Sequence, residues 1–472
     1  MSRKEGKKNG TRENGFWNFI DNIEGDKVVW IIVFLLIMIS ILAIFSSTSL
    51  LREGSKDRID FIMDHILVVG VGLALIFGLY NIRKISFFRI LSQCGFVVSL
   101  VLLLILDLHV RIPNVVEAEY INGAWRTLRI AGLQMHVFEV VKVAMVMYLA
   151  WALHAYKEDQ ELIGRRKKSD RLTFANSFAG SKNFSFLAQP FWKRMMYMYI
   201  PILTVCVLTL VGSGSSSVFI GVILIATLLI GGVPFKEIGI AGAAGIAALM
   251  LIVGVYNASD GKIFSKFERI ATMKSRIGAD YDAERLHELR TGSYEFYALL
   301  DQIKQPYSAK IAVHEGGILG KGSGNSTQKY VVSNIYGDYM FSFLIEEYGL
   351  IGGILVILLY VSLLARGSTI ARHCSSEFAK IAVGGLSVLI TGQAFMHMFV
   401  NVDIGPMTGQ TLPLISHGSF AFLVFCIAFG VILSISRIAR DEIRAEEESA
   451  APIFDADKDE IQETMEIIEN LD

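Results

Sequence analysis

The chain has 472 residues, of which 53% are hydrophobic and 19% charged, and its mean hydropathy is +0.49. This composition excludes an ordinary soluble domain, because the apolar residues occur in blocks long enough to span a bilayer. The formal net charge of −1 is uninformative, since the charges are segregated along the chain. Four widely separated cysteines argue against a disulfide framework and against a metal cluster.

A basic N-terminal tail over residues 1–27 precedes ten apolar blocks, each close to the roughly 20 residues that a bilayer requires. The blocks lie at 28–49, 61–80, 87–107, 137–155, 196–212, 217–233, 237–256, 339–365, 381–400 and 419–436. We therefore expect an all-α polytopic membrane protein with about ten transmembrane helices and no cleavable signal peptide. Residues 28–436 form its membrane domain, and residues 437–472 form an acidic tail with room for a short amphipathic helix.

Lysine and arginine are concentrated in alternate loops, which sets the expected orientation. They are frequent in residues 2–12, 81–89 and 161–194, whereas the short loops 212–217 and 401–418 contain none. Both termini are therefore predicted to be cytoplasmic. The segment 257–338, between the seventh and eighth helices, is predicted to be a large extracytoplasmic loop.

Charged residues near the fourth block are the first candidates for a functional site. Glu139 and Lys142 are three residues apart and share one helix face. An unpaired charge at the bilayer centre costs about 2.5–3.5 kcal/mol, so a partner is expected. The pair lines a polar cavity or serves structurally near the helix end. Arg126 and Arg129, just before it, suit a phosphate group or anchor the chain at the interface.

The stretch "GGILGKGSGNST" (316–327) contains glycines that allow backbone amides to turn toward an anion, with Lys321 and Lys329 as charges. It is not a Walker A loop, and a flexible surface turn is the alternative. Asp338 follows where the loop enters the eighth helix. It serves there as a helix cap or as a general base. Deeper in the same helix are Glu346 and Glu347, at least one of which must face protein or a cavity.

The last outward loop, "NVDIGPMTGQTLPLISHGSF" (401–420), contains glycines and prolines that prevent a regular helix. Irregular backbone at this depth persists only where it is buried in protein or lines water. His397 and His417 are candidates for polar contacts or packing rather than for metal ligation, since zinc-site spacing is absent from the sequence.

At these residues the chain resembles the SEDS family of bacterial cell-shape, division and sporulation proteins. Three stretches carry the resemblance: "NGAWRTLRIAGLQMHVFEVVK" (122–142), "AKIAVHEGGILGKGSGNSTQKYVVSNIYGDYMFSFLIEEYGLIGG" (309–353) and "NVDIGPMTGQTLPLISHGSF". The sequence departs from the family pattern at 136–138, where His-Val-Phe replaces Gln-Pro-Ser, and near Ser213, where "VGSGSSS" replaces a Gln-Pro-Asp motif. "SHGSF" replaces the usual Ser-Tyr-Gly-Gly-Ser ending. "GKGSGNST" is closer to the division-type member.

The resemblance implies a peptidoglycan glycosyltransferase that polymerises lipid II, the undecaprenyl-pyrophosphate disaccharide-peptide, by inverting transfer. Asp338 would be the catalytic base. The expected substrate-binding residues are Arg126, Glu139, Lys142, Lys321, Asn325, Lys329, Ser416 and His417. A divalent cation, Mg²⁺ or Mn²⁺, is the expected cofactor.

The resemblance also implies partners and a location. The expected partners are a class B penicillin-binding protein and other membrane proteins of the division or elongation machinery, and nucleic acid is not among them. The expected location is the bacterial cytoplasmic (inner) membrane, at the division septum. Two alternatives use the same residues differently: a lipid II flippase needs charged lining but no base at a fixed depth, and a non-catalytic division scaffold needs neither.

Overall fold

The structure is a computed structural model that describes residues 24–48, 58–112, 115–121, 124–130, 132–165, 172–177, 185–258, 288–291, 293–332, 335–405 and 408–469. Within these ranges ten helices match the predicted spans: α1 Lys27–Ser47, α2 Arg58–Tyr80, α3 Ile85–Asp107, α4 Val137–Gly164, α6 Pro190–Gly212, α7 Gly214–Ile230, α8 Phe235–Ala258, α10 Met340–His373, α11 Glu377–Asn401 and α12 Ser419–Glu469. Two further helices are α5 Thr173–Ser177 and α9 Tyr294–Gly316.

Eight of the ten helices are long and apolar enough to cross a membrane within the described ranges, and α7 is a shorter apolar helix of 17 residues. The prediction of an all-α polytopic membrane protein with about ten transmembrane helices is confirmed. In the most apolar 18 residues of α4, 83% of the residues are buried. The corresponding share is 78% in α12 and 22% in α2. Helices α4 and α12 therefore lie at the centre of the bundle, and α2 lies at its periphery.

A small antiparallel sheet follows α3, in a segment whose sequence predicts only an outward loop. Its strands are β1 Arg111–Ile112, β2 Val116–Ile121, β3 Ala124–Ile130 and β4 Leu133–His136, in the order β1-β2-β3-β4. The sheet packs against the bundle through β3. A Cβ atom on Gly212, at the end of α6, would lie 2.6 Å from the carbonyl oxygen of Trp125, so this contact has no space for a larger residue.

The last helix differs from its predicted form. The apolar span was expected to end at 436 and the acidic tail to follow it, but the backbone of α12 stays helical to Glu469. The helix expected near the end of the tail is thus the continuation of the final span.

Helix α10 also differs, because it is broken at Gly349, where φ is +69° and ψ is −174°. Segment 317–322 supplies the hydrogen bonds that the break would leave unmade. The Leu350 amide donates to the Gly317 carbonyl at 2.9 Å, and the Lys321 amide donates to the Glu346 carbonyl at 2.9 Å. The break therefore joins the glycine-rich loop to α10 on both sides of Gly349 and fixes the position of Glu346.

Candidate active site

Asp338 lies in a turn just before α10 and is half-buried. The N-cap residue of α10 is Tyr339, whose side chain makes no capping hydrogen bond. Asp338 thus precedes the cap position, so the helix-cap interpretation does not describe the start of this helix. Asp338 is instead one of the residues that line a pocket.

The backbone that carries Asp338 is held at three consecutive carbonyls. The His417 amide donates to the Tyr336 oxygen at 2.8 Å. The Ser416 hydroxyl donates to the Gly337 oxygen at 2.8 Å. The Asn401 side-chain amide donates to the Asp338 oxygen at 3.0 Å. Irregular segment 402–418 and the end of α11 therefore fix the height and orientation of the carboxylate-bearing residue.

The pocket is small, with a cavity volume of about 10 Å³. It is lined, among the described residues, by Asp338, Tyr339, His397, Val400, Thr408, Gly409 and Gln410. His397 connects two of its walls. Its Nδ1 lies 2.7 Å from the Gln410 carbonyl, and its Nε2 accepts a hydrogen bond from the Phe341 amide at 3.3 Å. Since Nε2 is the acceptor, the proton is on Nδ1 and the imidazole is neutral.

Lys142 lies behind this pocket, surrounded by oxygen atoms. Its ammonium donates to Glu139 Oε1 at 2.7 Å, to Gln393 Oε1 at 2.5 Å and to Gln410 Oε1 at 2.8 Å. Its side chain is only 1% exposed. The predicted i, i+3 pair is thus present and buried, and one of its partners, Gln410, also lines the Asp338 pocket.

Ser213 and its neighbours extend this polar network toward α7. Ser213 is the N-cap of α7 and accepts a hydrogen bond from the Ser216 amide. The Ser216 hydroxyl in turn accepts from Gln410 Nε2 at 3.2 Å. At the position where the sequence lacks an acid, neutral hydroxyls therefore connect α7 to the oxygen cage of Lys142.

The glycine-lysine loop forms a second cluster, around the glutamates of α10. Glu346 and Glu347 are both fully buried. Glu346 accepts from the Lys321 ammonium at 2.9 Å and from the Thr327 amide at 2.8 Å. Lys329, with only 1% of its side chain exposed, donates to the Gly324 carbonyl at 2.7 Å. The lysines thus hold the loop to α10 and do not line the Asp338 pocket.

The pKa shifts of Lys321 and Glu315, which lie outside the spans, agree with the contacts in this second cluster. Partial burial acts to lower the pKa of Lys321, but hydrogen bonds to the carboxylates of Glu315 and Glu346 outweigh it and raise that pKa. The same contact with Lys321 lowers the pKa of Glu315. Lys321 is therefore a charged partner of two carboxylates, and Asn325 adds a hydrogen bond from its side chain to the Lys321 carbonyl at 3.0 Å.

Arg126 and His417 are not among the described residues that line the Asp338 pocket. Arg126 lies in β3, half-buried where the sheet meets the bundle. The ring of His417 packs against Phe61, with 4.3 Å between ring centroids, while its backbone holds Tyr336. Of the predicted site residues, the structure therefore places Asp338, Ser416 and His417 together, with Glu139 and Lys142 behind them.

Three residues at this site were not singled out from the sequence: Gln393, Asn401 and Gln410. All three are buried polar side chains. Gln393 lies inside the predicted span 381–400, and Asn401 directly follows that span. Gln410 lies within the stretch "PMTGQTLP". The prolines and glycines there predict irregular backbone, but a neutral amide among them does not indicate a functional residue.

Comparison with known proteins places the whole bundle in one family. A family model described as "Cell cycle protein" and labelled FtsW, RodA and SpoVE matches residues 26–441. Stage V sporulation protein E of Bacillus subtilis (strain 168) is 25% identical over 419 residues, which cover 88% of this chain and 98% of that protein.

Two further relatives are named for an activity. Peptidoglycan glycosyltransferase MrdB of Escherichia coli (strain K12) is 35% identical over 150 residues, and the match spans only 40% of its length. Probable peptidoglycan glycosyltransferase FtsW of Methylomonas methanica is 28% identical, with 74% of this chain and 76% of that protein covered.

Solved structures share the fold. A chain from a structure described as "Structural coordination of polymerization and crosslinking by a peptidoglycan synthase complex" aligns with a TM-score of 0.57 at 18% identity, covering 88% of this chain and 98% of that one. Rod shape determining protein RodA of Thermus thermophilus aligns with a TM-score of 0.51 at 17% identity, covering 88% and 98%.

Proposed function

Because the chain belongs to the FtsW, RodA and SpoVE family of cell cycle proteins, we propose that it is a peptidoglycan glycosyltransferase that polymerises lipid II. Relatives from Escherichia coli and Methylomonas methanica carry the name peptidoglycan glycosyltransferase. The observation that carries the proposal is the placement of Asp338. It is a half-buried acid in a pocket at the end of α11, directly in front of the caged Lys142.

The height of Asp338 suits a substrate that is half lipid and half sugar. The lipid tail of the donor stays in the bilayer while its disaccharide stays in water, so the bond between sugar and pyrophosphate lies at the interface. Asp338 lies where α10 begins and α11 ends, and both helices are long enough to span a membrane. A base at this level can reach an attacking hydroxyl without drawing the lipid out of the membrane.

In the proposed reaction, Asp338 takes the proton of the acceptor's C4 hydroxyl as that oxygen forms a bond to the donor's anomeric carbon. The bond from the anomeric carbon to the pyrophosphate oxygen breaks, and undecaprenyl pyrophosphate leaves with the electron pair. One displacement inverts the configuration, so a second carboxylate nucleophile is not required. General-base catalysis of this kind contributes about 10²–10⁴ in rate.

Positive groups would offset the charge that develops on the leaving pyrophosphate. We assign this role to Lys142 and Arg126, with Glu139 holding Lys142 in place through its 2.7 Å contact. The binding role expected for Lys329 does not fit its geometry, since its ammonium is buried against Gly324. Lys321 is bound to Glu315 and Glu346, so we assign both lysines to the shape of the loop.

A divalent cation, Mg²⁺ or Mn²⁺, would add charge stabilisation at the pyrophosphate. Among the residues that the structure describes, no three His, Cys, Asp or Glu side chains are grouped to hold a metal ion. Mg²⁺ is commonly held by one or two carboxylates together with substrate phosphates. The described residues therefore fit a cation that binds together with the donor's pyrophosphate. Asp338 is the acidic residue in the pocket that would contact such a cation.

A class B penicillin-binding protein is the partner we propose, in the bacterial cytoplasmic membrane at the division septum. Support comes from the similarity to a chain of a peptidoglycan synthase complex and from the division-type sequence of the glycine-lysine loop.

The test separates polymerisation from transport. Purified protein is reconstituted in liposomes with lipid II, and glycan chains are followed on gels while lipid movement between leaflets is followed in parallel. The proposal expects polymer from the wild-type protein with its partner. Lipid movement without polymer would favour the flippase, and neither activity would favour the scaffold.

A further inference from the structure

We infer that Gln410 holds the position at Lys142 that a phosphate oxygen of the ligand takes, so that Gln410 is a displaceable partner of the buried ammonium. The inference rests on the proposed function, because it concerns the anionic group bound in the same pocket. It assigns a specificity-determining role to a residue whose side chain is neutral.

The hydrogen-bonding capacity of Lys142 is already filled. A lysine ammonium has three N–H donors and no acceptor. In this structure the three donors meet three oxygens, those of Glu139, Gln393 and Gln410. The side chain is 1% exposed, so water does not supply a further partner. An anionic ligand can therefore reach Lys142 only by replacing one of these oxygens.

The three oxygens are not equally replaceable. Glu139 carries the negative charge that balances the buried ammonium, and removing it would leave a buried charge unpaired. Gln393 is held from its other end, because its Nε2 donates to the Thr411 carbonyl at 3.1 Å. Only Gln410, among the three, lines the Asp338 pocket. A ligand in that pocket therefore meets Gln410 first.

One neutral contact opposes movement of the Gln410 side chain away from Lys142. The remaining side-chain contact of Gln410 is a 3.2 Å hydrogen bond from Nε2 to the Ser216 hydroxyl. The Ser216 hydroxyl also lies 2.9 Å from Ser213 Oγ, so it keeps a partner when Gln410 leaves.

The exchange is favourable for an anion and unfavourable for a neutral ligand. A phosphate oxygen brings a full negative charge to the ammonium, which the carboxamide oxygen of Gln410 lacks, and attraction between opposite charges is strong where water is excluded. A neutral sugar oxygen would only match what Gln410 already provides. The cage thus selects a phosphate or pyrophosphate group, either free in solution or attached to a lipid.

The test measures binding of two probes, inorganic pyrophosphate and geranyl pyrophosphate, to the full-length protein in detergent. In Gln410→Met the competing oxygen is gone, and we expect about two- to tenfold tighter binding, the equivalent of one hydrogen bond. Gln393→Met is the matched control. It also frees a donor of Lys142, but not toward the pocket, so its affinity should not increase. Lys142→Met should abolish the gain.

Gln410→Glu gives an independent readout, because a second carboxylate neutralises Lys142 and should weaken binding of both probes. This variant decides the matter if Gln410→Met does not fold. Equal or weaker binding in folded Gln410→Met, an equal gain in Gln393→Met, or undiminished binding in Gln410→Glu would overturn the inference. A gain with geranyl pyrophosphate alone identifies the lipid-linked source. This experiment measures binding and not polymerisation. Its outcome therefore tests the role of Gln410 even if the protein makes no glycan polymer.

Discussion

The side-chain amide of Asn401 donates a hydrogen bond to the Asp338 carbonyl at 3.0 Å, while its Oδ1 accepts one from the Ser342 amide at 3.0 Å. Asn401 is the last residue of α11, and Ser342 lies in the first turn of α10, where backbone amides have no partner within the helix. One buried side chain thus joins two helices at the residue proposed as the base.

This contact predicts that Asn401 is a positioning residue. Replacing it with leucine removes both hydrogen bonds at similar volume, and we expect kcat for polymerisation to fall about tenfold, equal to about 1.4 kcal/mol of barrier. KM should change little, because Asn401 does not line the pocket. Thr391→Val is the control, since it also removes one buried hydrogen bond between α11 and α10, to the Tyr360 carbonyl. A similar fall in kcat in the control would contradict the positioning role.

The break in α10 predicts a severe effect of a single methyl group. Gly349 has φ of +69°, and a Cβ atom there would lie 2.2 Å from the Ile318 carbonyl oxygen. Gly349→Ala should therefore separate segment 317–322 from α10 and lower the thermal unfolding temperature strongly. Gly70→Ala is the control, because a Cβ at Gly70 meets nothing within 4 Å. That change should be neutral or stabilising, by up to about 1 kcal/mol.

The second cluster predicts that Glu346 holds the glycine-lysine loop. Its carboxylate accepts hydrogen bonds from Lys321, Ser326 and Thr327, so Glu346→Gln should cost about 1–3 kcal/mol. The loss should appear as faster amide hydrogen exchange at Thr327. Glu315→Gln touches the same lysine from an exposed position and should leave exchange unchanged. Unchanged exchange in Glu346→Gln would show that the loop is held by other contacts.

A buried ion pair at the far end of α4 predicts a loss of stability without a loss of chemistry. Lys193 Nζ lies 2.7 Å from Asp159 Oδ2, and both side chains are at most 1% exposed. Asp159→Asn should lower the free energy of unfolding by about 3–5 kcal/mol, because it leaves a buried charge unpaired. Since Asp159 is about 25 Å along α4 from Lys142, kcat per folded molecule should be unchanged. A fall in kcat per folded molecule would contradict this prediction and would show that the two ends of α4 are coupled.

The helices could be predicted from the sequence because membrane spans require long apolar blocks, and charge within them is costly enough to be noticed. Asp338, Glu139 and Lys142 were found in this way. The four strands between α3 and α4 are short, and no apolar block marks them, so the sequence predicts only a loop there. The break at Gly349 was missed because one glycine in an apolar helix is usually tolerated.

The neutral side chains of the site could not be predicted for a different reason. Gln393 and Gln410 are separated from Lys142 by 251 and 268 residues, so only the folded chain brings them together. A neutral amide in an apolar block costs less than a charge and is a weaker signal. The engagement of Lys321 and Lys329 by Glu346 and Glu347 was equally hidden, because composition alone does not tell a ligand-binding loop from one bound to its own protein.

The central claim concerns Asp338, and polymerisation of purified lipid II by wild type, Asp338→Asn and Asp338→Glu, each with its partner protein, tests it most directly. The asparagine variant keeps the size of the side chain and the Asn401 contact to the backbone, so it should be inserted and folded. We expect it to make no glycan polymer, because the amide cannot accept the proton, and we expect the glutamate variant to retain a small fraction of the activity. Full-length polymer from folded Asp338→Asn would contradict the account.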